Sequence, residues 1–317
     1  MVDPIYILVE AANARERLDS FLAGQLPEYS RSRLANWIRE ELIRVNGQAT
    51  RPRYKVQPGD EISFVQPEPT PCDIVPQEMD LNIVHRDESF VIVNKPAGLI
   101  VHPGAGHPDG TLVNGLVHMY GALSPIGAPD RPGVVHRIDA GTSGLLVFAL
   151  TELAHNRLAA QFSKHSIERV YHALVWDHGL EDSGTIETLH GRHHKDRRKF
   201  TGKVSDGKRA VTHWAVLRRL GSCALVEVRL ETGRTHQIRV HFSEHGCPLV
   251  GDQTYGRRRR IEHIPSLRQL GFELGLKRQA LHAAVLGFEH PVTGEAVRYE
   301  SETPADVTAV IAALAGE

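Results

Sequence analysis

The sequence predicts an α+β protein, with a mixed, mostly antiparallel sheet and flanking helices preceded by a small α/β domain. Three observations predict it. Strand-like apolar runs and helix-period segments follow one another in mixed order, which fits an α+β chain. The N-terminal stretch carries its own short helices and turns, and Gln66-Pro67-Glu68-Pro69-Thr70-Pro71 closes it off with an extended, semi-rigid joint. The 317 residues, 41% of them hydrophobic, exceed one typical domain and can bury a sizeable core. The expected layout is a small domain over 1–65, a linker over 66–76 and a larger domain over 77–317.

Composition narrows the function classes. No run is long and apolar enough to span a membrane. Met1-Val2-Asp3-Pro4-Ile5-Tyr6 lacks a basic region before an apolar run, so no signal or transit peptide is expected. Cys72, Cys223 and Cys247 form no Cys-x-x-Cys pair and read as buried thiols of a reducing compartment. A cytoplasmic monomer is expected. The net charge of −1 gives no global nucleic-acid signal, so that case rests on local basic clusters.

In the small domain, Leu18, Phe21, Leu22 and Leu26 share one helical face. A second helix, with Ser30 or Ser32 as its N-cap, places Leu34, Trp37 and Ile38 together. Val45-Asn46-Gly47-Gln48 reads as a hairpin, since Asn-Gly meets the positive-φ demand of a type I′ turn. Pro58-Gly59-Asp60 then turns into a strand at Glu61–Val65. Between 31 and 55, Arg31, Arg33, Arg39, Arg44, Arg51, Arg53 and Lys55 face only Glu40 and Glu41. Such a run is either a solvated helical face or a phosphate-binding one.

From Leu81 the chain turns β-rich. Phe90–Asn94 is a buried-strand run, and Lys95-Pro96-Ala97-Gly98 a turn. Gly104–Gly110 is a loop without dinucleotide-binding spacing, and Thr111 caps a helix through Leu116. Gly133–Ala149 reads as strand, loop, strand, its polar turn holding His136, Arg137, Asp139, Thr142 and Ser143. On its own that Asp could merely cap its turn. A helix is expected over Thr151–Ser163 and a strand over Arg169–Trp176, with Arg169, Tyr171, Ala173 and Val175 on one face. His190–Lys199 is basic and exposed, facing RNA or simply solvated. Adjacent His193 and His194 would point opposite ways in a strand, and no third ligand follows at a metal-binding interval, so no metal site is expected. After a strand at Leu225–Leu230, Gly233 and Arg234 sit at a turn, Thr235 can cap the next helix and Gly246 ends it.

Several of these strings resemble one family in order. Gly133–Gly144 is similar to the His-Arg-Leu-Asp-x-x-Thr-Ser-Gly signature of the RluA family of pseudouridine synthases, with Ile138 in place of Leu. Asn94-Lys95-Pro96 with His102-Pro103, Arg169-Val170-Tyr171, and Thr232-Gly233-Arg234-Thr235-His236-Gln237-Ile238-Arg239-Val240-His241 resemble further family segments. So do Gly251-Asp252 with Tyr255-Gly256, and Arg278–Ala283. Residues 15–65 look like an S4 RNA-binding domain, from Ser30-Arg31-Ser32-Arg33 and Val45-Asn46-Gly47.

The resemblance implies isomerisation of uridine in RNA, with large-subunit ribosomal RNA as the expected substrate and transfer RNA the alternative. It implies no cofactor. Asp139 is the implied catalytic carboxylate, Tyr171 the active-site tyrosine and Arg234 the guanidinium that keeps Asp139 charged. His136, Arg137, Thr142 and Arg169 are implied to hold substrate, and Arg31 and Arg33 to lie along phosphates. A non-catalytic S4-type RNA binder or assembly factor would need no such set together. A glycosidase would call for a second carboxylate, which the motif lacks.

Overall fold

The computed structural model describes residues 4–27, 29, 31–65, 74–104, 106–126, 131–256 and 276–316. The expected proline-rich joint, the Ser30 cap and Cys72 therefore lie outside the described residues.

Near the N-terminus, β1 (Ile5–Leu8), β2 (Ile43–Val45) and β3 (Glu61–Phe64) form an antiparallel sheet in the order β1-β3-β2. Helices α1 (Leu18–Gln25) and α2 (Arg31–Arg39) pack on it through Leu18, Phe21, Leu22, Leu34, Trp37 and Ile38. Trp37 stacks on Phe64 with ring centroids 5.1 Å apart. Asn46 and Gly47 take φ of 51° and 75°, as a type I′ turn demands. The expected hairpin is nevertheless reduced to one bridge, Val45 to Gln48, and β2 pairs instead with β3. The Asn46 side chain explains the choice. Its amide nitrogen donates to Asp60 (2.8 Å) and its oxygen accepts from the Glu61 amide (2.9 Å), drawing the β3 entry onto the turn.

The second sheet has ten strands: β4 (Ile83–Arg86), β5 (Phe90–Lys95), β6 (Ser143–Ala149), β7 (Glu168–Trp176), β8 (Ser183–Arg192), β9 (Phe200–Thr201), β10 (Lys208–Leu220), β11 (Cys223–Leu230), β12 (Leu281–Glu289) and β13 (Ala296–Glu300). Their order is β4-β5-β6-β12-β7-β11-β10-β8-β9, with β13 on β12. Every pairing is antiparallel except β6 with β12. Alternation along the strands decides what each face covers. Leu145 and Val147 meet α4 (Glu152–Lys164), while Leu146 and Phe148 meet α3 (Leu112–Tyr120). On β7, Tyr171, Ala173 and Val175 share a core with Ile238 and Phe242 of α5 (Gln237–Glu244), and Leu174 and Trp176 face the C-terminal helix Ala305–Ala315.

The parallel joint matters most for the site. Two parallel neighbours begin at the same end, so the segments entering β6 and β12 meet there. Gly144 makes this possible. At φ 113° its added Cβ would lie 2.3 Å from the Ala283 carbonyl oxygen, a backbone clash that only glycine avoids. Of the expected caps, the one at Thr111 forms, whereas Ser32 lies within α2 rather than before it. Thr111 forms a capping box with Asn114, and the Thr151 hydroxyl accepts the Ala154 amide at 3.2 Å. Helix α3 runs on past Leu116 to Tyr120, where Gly121 at φ 74° ends it.

Candidate active site

The loop entering β6 carries Asp139 into a cleft of about 970 Å³. His136, Arg137, Thr142, Arg169, Tyr171 and Arg234 line the same cleft. Arg31 and Arg33 do not. The Arg31 guanidinium pairs with Asp19 at 3.2 Å, and Arg33 pairs with Glu152 at 2.6 Å while lying over the Trp37 ring.

One expectation needs correction. The guanidinium on Asp139 belongs to Arg239, whose Nη1 donates to Oδ2 at 3.0 Å. Arg234 instead donates from Nε to the Arg209 carbonyl at 3.1 Å. The local fold explains the difference. Helix α5 has no side-chain N-cap, and Thr235 does not serve as one. The Gln237 side chain reaches back, its oxygen accepting from the Arg234 amide (3.0 Å) and the Thr232 hydroxyl (2.9 Å). Arg234 is thereby fixed at the turn before the helix. Arg239 sits inside the first turn and projects to the cleft from below.

Arg239 is doubly engaged. Nε and Nη2 grip Asp252 in a fork (2.7 and 3.0 Å), leaving Nη1 for Asp139. Burial by itself would raise the Asp252 carboxyl. The Arg239 hydrogen bonds and charge, with the Tyr255 and Thr254 amides, outweigh it and hold that carboxyl below its ordinary range. The pair is buried, with the Asp252 side chain 1% exposed and that of Arg239 8%. Asp139, at 21%, is reachable from the cleft. Its other oxygen, Oδ1, faces Nε2 of His236 at 3.8 Å.

Behind the loop stands Lys95, with no exposed surface. Its ammonium donates to the carbonyls of Pro96 (2.8 Å), Leu99 (2.8 Å) and Ala140 (3.0 Å), one per N–H. Burial and then the Arg278 charge push this lysine down to about 7, while Asp139 acts in the opposite direction. Arg278 donates to the next carbonyl, Gly141, at 3.2 Å. Lys95 and Arg278 thus clamp, by hydrogen bonds, the backbone that presents Asp139. Lys95→Met is expected to strand the buried carbonyls and cost about 1–3 kcal/mol, read as a lower urea midpoint with an unchanged slope.

Other predicted residues serve the walls. Thr142 is buried, and its hydroxyl accepts from Gln279 at 3.1 Å, so it shapes the loop rather than meeting substrate directly. His136 accepts the Val147 amide on Nε2 (3.1 Å) and stacks on Phe162 at 4.4 Å. Burial, with the Arg169 charge, pushes it down to about 3, so it is a neutral prop. Arg169 lies over the same Phe162 ring, 5.8 Å from its centroid, and donates to the carbonyls of Leu230 and Glu231. Gly233 leaves it room, since a Cβ there would fall 2.6 Å from Arg169 Nη1. Arg137 is exposed, its Nη1 3.3 Å from His102 Nε2. Burial first, then Asp139, pushes the Tyr171 hydroxyl up, with Arg169 opposing.

His193 and His194 lie in the loop after β8 rather than in a strand, and their rings stack at 4.8 Å. Among the described residues no group of three His, Cys, Asp or Glu could hold a metal ion. Among them too, no helix is long and apolar enough to cross a membrane.

The RNA pseudouridylate synthase family model matches residues 89–244, and the S4 domain model residues 16–62. The RNA pseudouridine synthase YlyB of Bacillus subtilis is 44% identical over 98% of each chain. Ribosomal large subunit pseudouridine synthase D of Zymomonas mobilis is 47% identical over 92% of this chain and 91% of its own. Among solved structures, human RNA pseudouridylate synthase domain containing 1 matches with a TM-score of 0.54 at 30% identity, covering 71% of this chain and 84% of that one. The chain therefore belongs to the RNA pseudouridine synthases, enzymes that isomerise uridine within RNA, and it joins their catalytic fold to an S4 domain.

Proposed function

We propose that Asp139 is the catalytic carboxylate and that the substrate is a uridine of large-subunit ribosomal RNA. The observation that carries the first part is the division of labour at Asp139. Arg239 holds Oδ2 and leaves Oδ1 open to the cleft. The target nucleotide has to leave its stack to bring C1′ there, at about a few kcal/mol, least in loops. The net change is balanced within one nucleotide. The C1′–N1 bond breaks, a C1′–C5 bond forms, and one proton is lost at C5 and gained at N1. Asp139 either bonds C1′ transiently or removes a proton from the sugar. A phenol pushed upward is a poor base at neutral pH, so Tyr171 is assigned to stacking on the displaced uracil.

The ribosomal target rests on the named relative from Zymomonas mobilis and on the S4 domain, which we place at residues 1–65. A linker over 66–76, a catalytic domain over 77–317 and a cytoplasmic monomer complete this reading. Arg31, half exposed beside Asp19, is one phosphate contact that the small domain can offer. Arg31→Ala is expected to reduce the slope of log affinity against log salt by about 0.7–0.9, measured by titration at several salt concentrations. Arg33, already on Glu152, should contribute less. An unchanged slope in Arg31→Ala would remove this contact.

Mapping pseudouridines in large-subunit RNA from cells with and without the protein tests the substrate. Loss of specific sites in that RNA is expected. Losses confined to transfer RNA would overturn the target and leave the chemistry standing.

A further inference from the structure

The cleft holds one residue that the sequence motifs leave without a role. His236 precedes α5 in the left-handed region, at φ 59°, a costly backbone for a residue with a side chain. That conformation carries the ring across to Asp139 on one side and Tyr255 on the other. Nε2 lies 3.8 Å from Asp139 Oδ1, and Nδ1 lies 2.9 Å from the Tyr255 hydroxyl.

The hydrogen bonds around Tyr255 decide which nitrogen carries the proton. The Phe200 amide, entering β9, donates to the Tyr255 oxygen at 2.9 Å. Among the described residues, the remaining partner within hydrogen-bond reach of that hydroxyl is His236 Nδ1. The phenolic proton is therefore donated to Nδ1, which must accept, and the imidazole proton is placed on Nε2. The Asp139 carboxylate facing Nε2 favours the same tautomer. A fixed N–H is thus aimed at the space beside the carboxylate oxygen that Arg239 leaves free.

We infer that the Nε2–H of His236 donates a hydrogen bond to the uracil as it departs from C1′. This rests on Asp139 being the catalytic carboxylate. When the C1′–N1 bond breaks, its electron pair leaves with the base, and negative charge spreads over N1, O2 and O4. The sugar is compensated by a bond from Asp139 Oδ1 to C1′. Alternatively, the C2′–H pair becomes a C1′–C2′ double bond while Asp139 takes the proton. Either route produces the same uracil anion beside Oδ1, within the reach of a donor that faces that oxygen. A neutral imidazole suits the task, because it stabilises the anion by a pre-aimed dipole without pairing permanently with Asp139. Burial first, and then the Arg239 and His190 charges against those of Asp139 and Asp252, hold His236 below its ordinary value and so keep it neutral. Burial pushes Tyr255 up to about 12, so the proton that locks the ring stays in place.

The test compares leaving groups. Fluorine at C5 stabilises the uracil anion, so a substrate RNA with 5-fluorouridine at the target needs less help from a donor. Cleavage of the C1′–N1 bond is followed in single turnovers on both RNAs. His236→Asn tolerates the left-handed backbone and removes the donor at the ε position. It is expected to slow uridine by about 100-fold and the fluorinated base by far less. Tyr255→Phe keeps the ring but frees its tautomer, and should show a smaller loss with the same preference. RNA affinity should be unchanged in both. Equal slowing on the two RNAs, or none on either, would overturn the role of His236. Asp139→Asn, run alongside, separates the two claims. If it cleaves either base, the reading beneath fails. If it is inert while His236→Asn shows no preference, only this inference fails.

Discussion

Replacing Arg239 with Met is expected to cost about 3–5 kcal/mol of stability at neutral pH, together with most of the activity. The stability loss comes from Asp252. Its carboxylate is buried and tied to Arg239 through two hydrogen bonds, so removal of the guanidinium leaves a buried charge whose remaining donors, among the described residues, are the Thr254 and Tyr255 amides. Activity falls because Asp139 loses the hydrogen bond that turns Oδ1 to the cleft. The pH dependence carries the sign of the argument. In the wild type the Asp252 carboxyl is held low, so its contribution is present above the unfolded value near about 4 and lost as pH falls through the folded one. Without Arg239, burial prevails and raises that carboxyl, and the variant gains relative stability as the group takes up a proton. The deficit between the two proteins, measured by urea denaturation, should therefore shrink from pH 7 to pH 4. A constant deficit across that range would show that packing, not charge, connects these residues.

The same pair shows where sequence reasoning stops. Asp139, Tyr171 and Arg169 were legible through the motifs that resemble the RluA family, with the two-residue period of β7 adding only that Arg169 and Tyr171 share a face, and the structure brings all three into one cleft. The choice between Arg234 and Arg239 was not legible, because both stand in one string and the preference for Arg239 depends on how Gln237 closes the turn before α5. Asp252 could have flagged Arg239, being a lone acid in a turn recognisable by its Asp-x-x-Tyr spacing. Its partner, however, comes from packing between two segments that no periodicity connects. His236 was hidden for a related reason, since nothing in a histidine's neighbours announces a left-handed backbone. Asn46 failed differently. Its turn chemistry was right, but its side-chain bonds to Asp60 and Glu61 gave β2 a more distant partner than the turn suggested.

Asp139→Asn should remove catalysis while leaving the protein otherwise whole. Arg239 keeps its fork on Asp252, and the side chain at 139 is partly exposed, so no buried charge is orphaned by the change. The amide keeps the shape of the carboxylate, and the cations lining the cleft are untouched. An amide can neither bond C1′ as a nucleophile nor remove a sugar proton, so a loss of at least about 10⁴-fold is expected, on the scale seen when an enzyme loses its nucleophile. The decisive measurement is single-turnover pseudouridine formation by this variant on an RNA that it binds with affinity within about threefold of the wild type, a difference below 1.4 kcal/mol. No product above background is the predicted result; measurable product from this variant would contradict the assignment of Asp139.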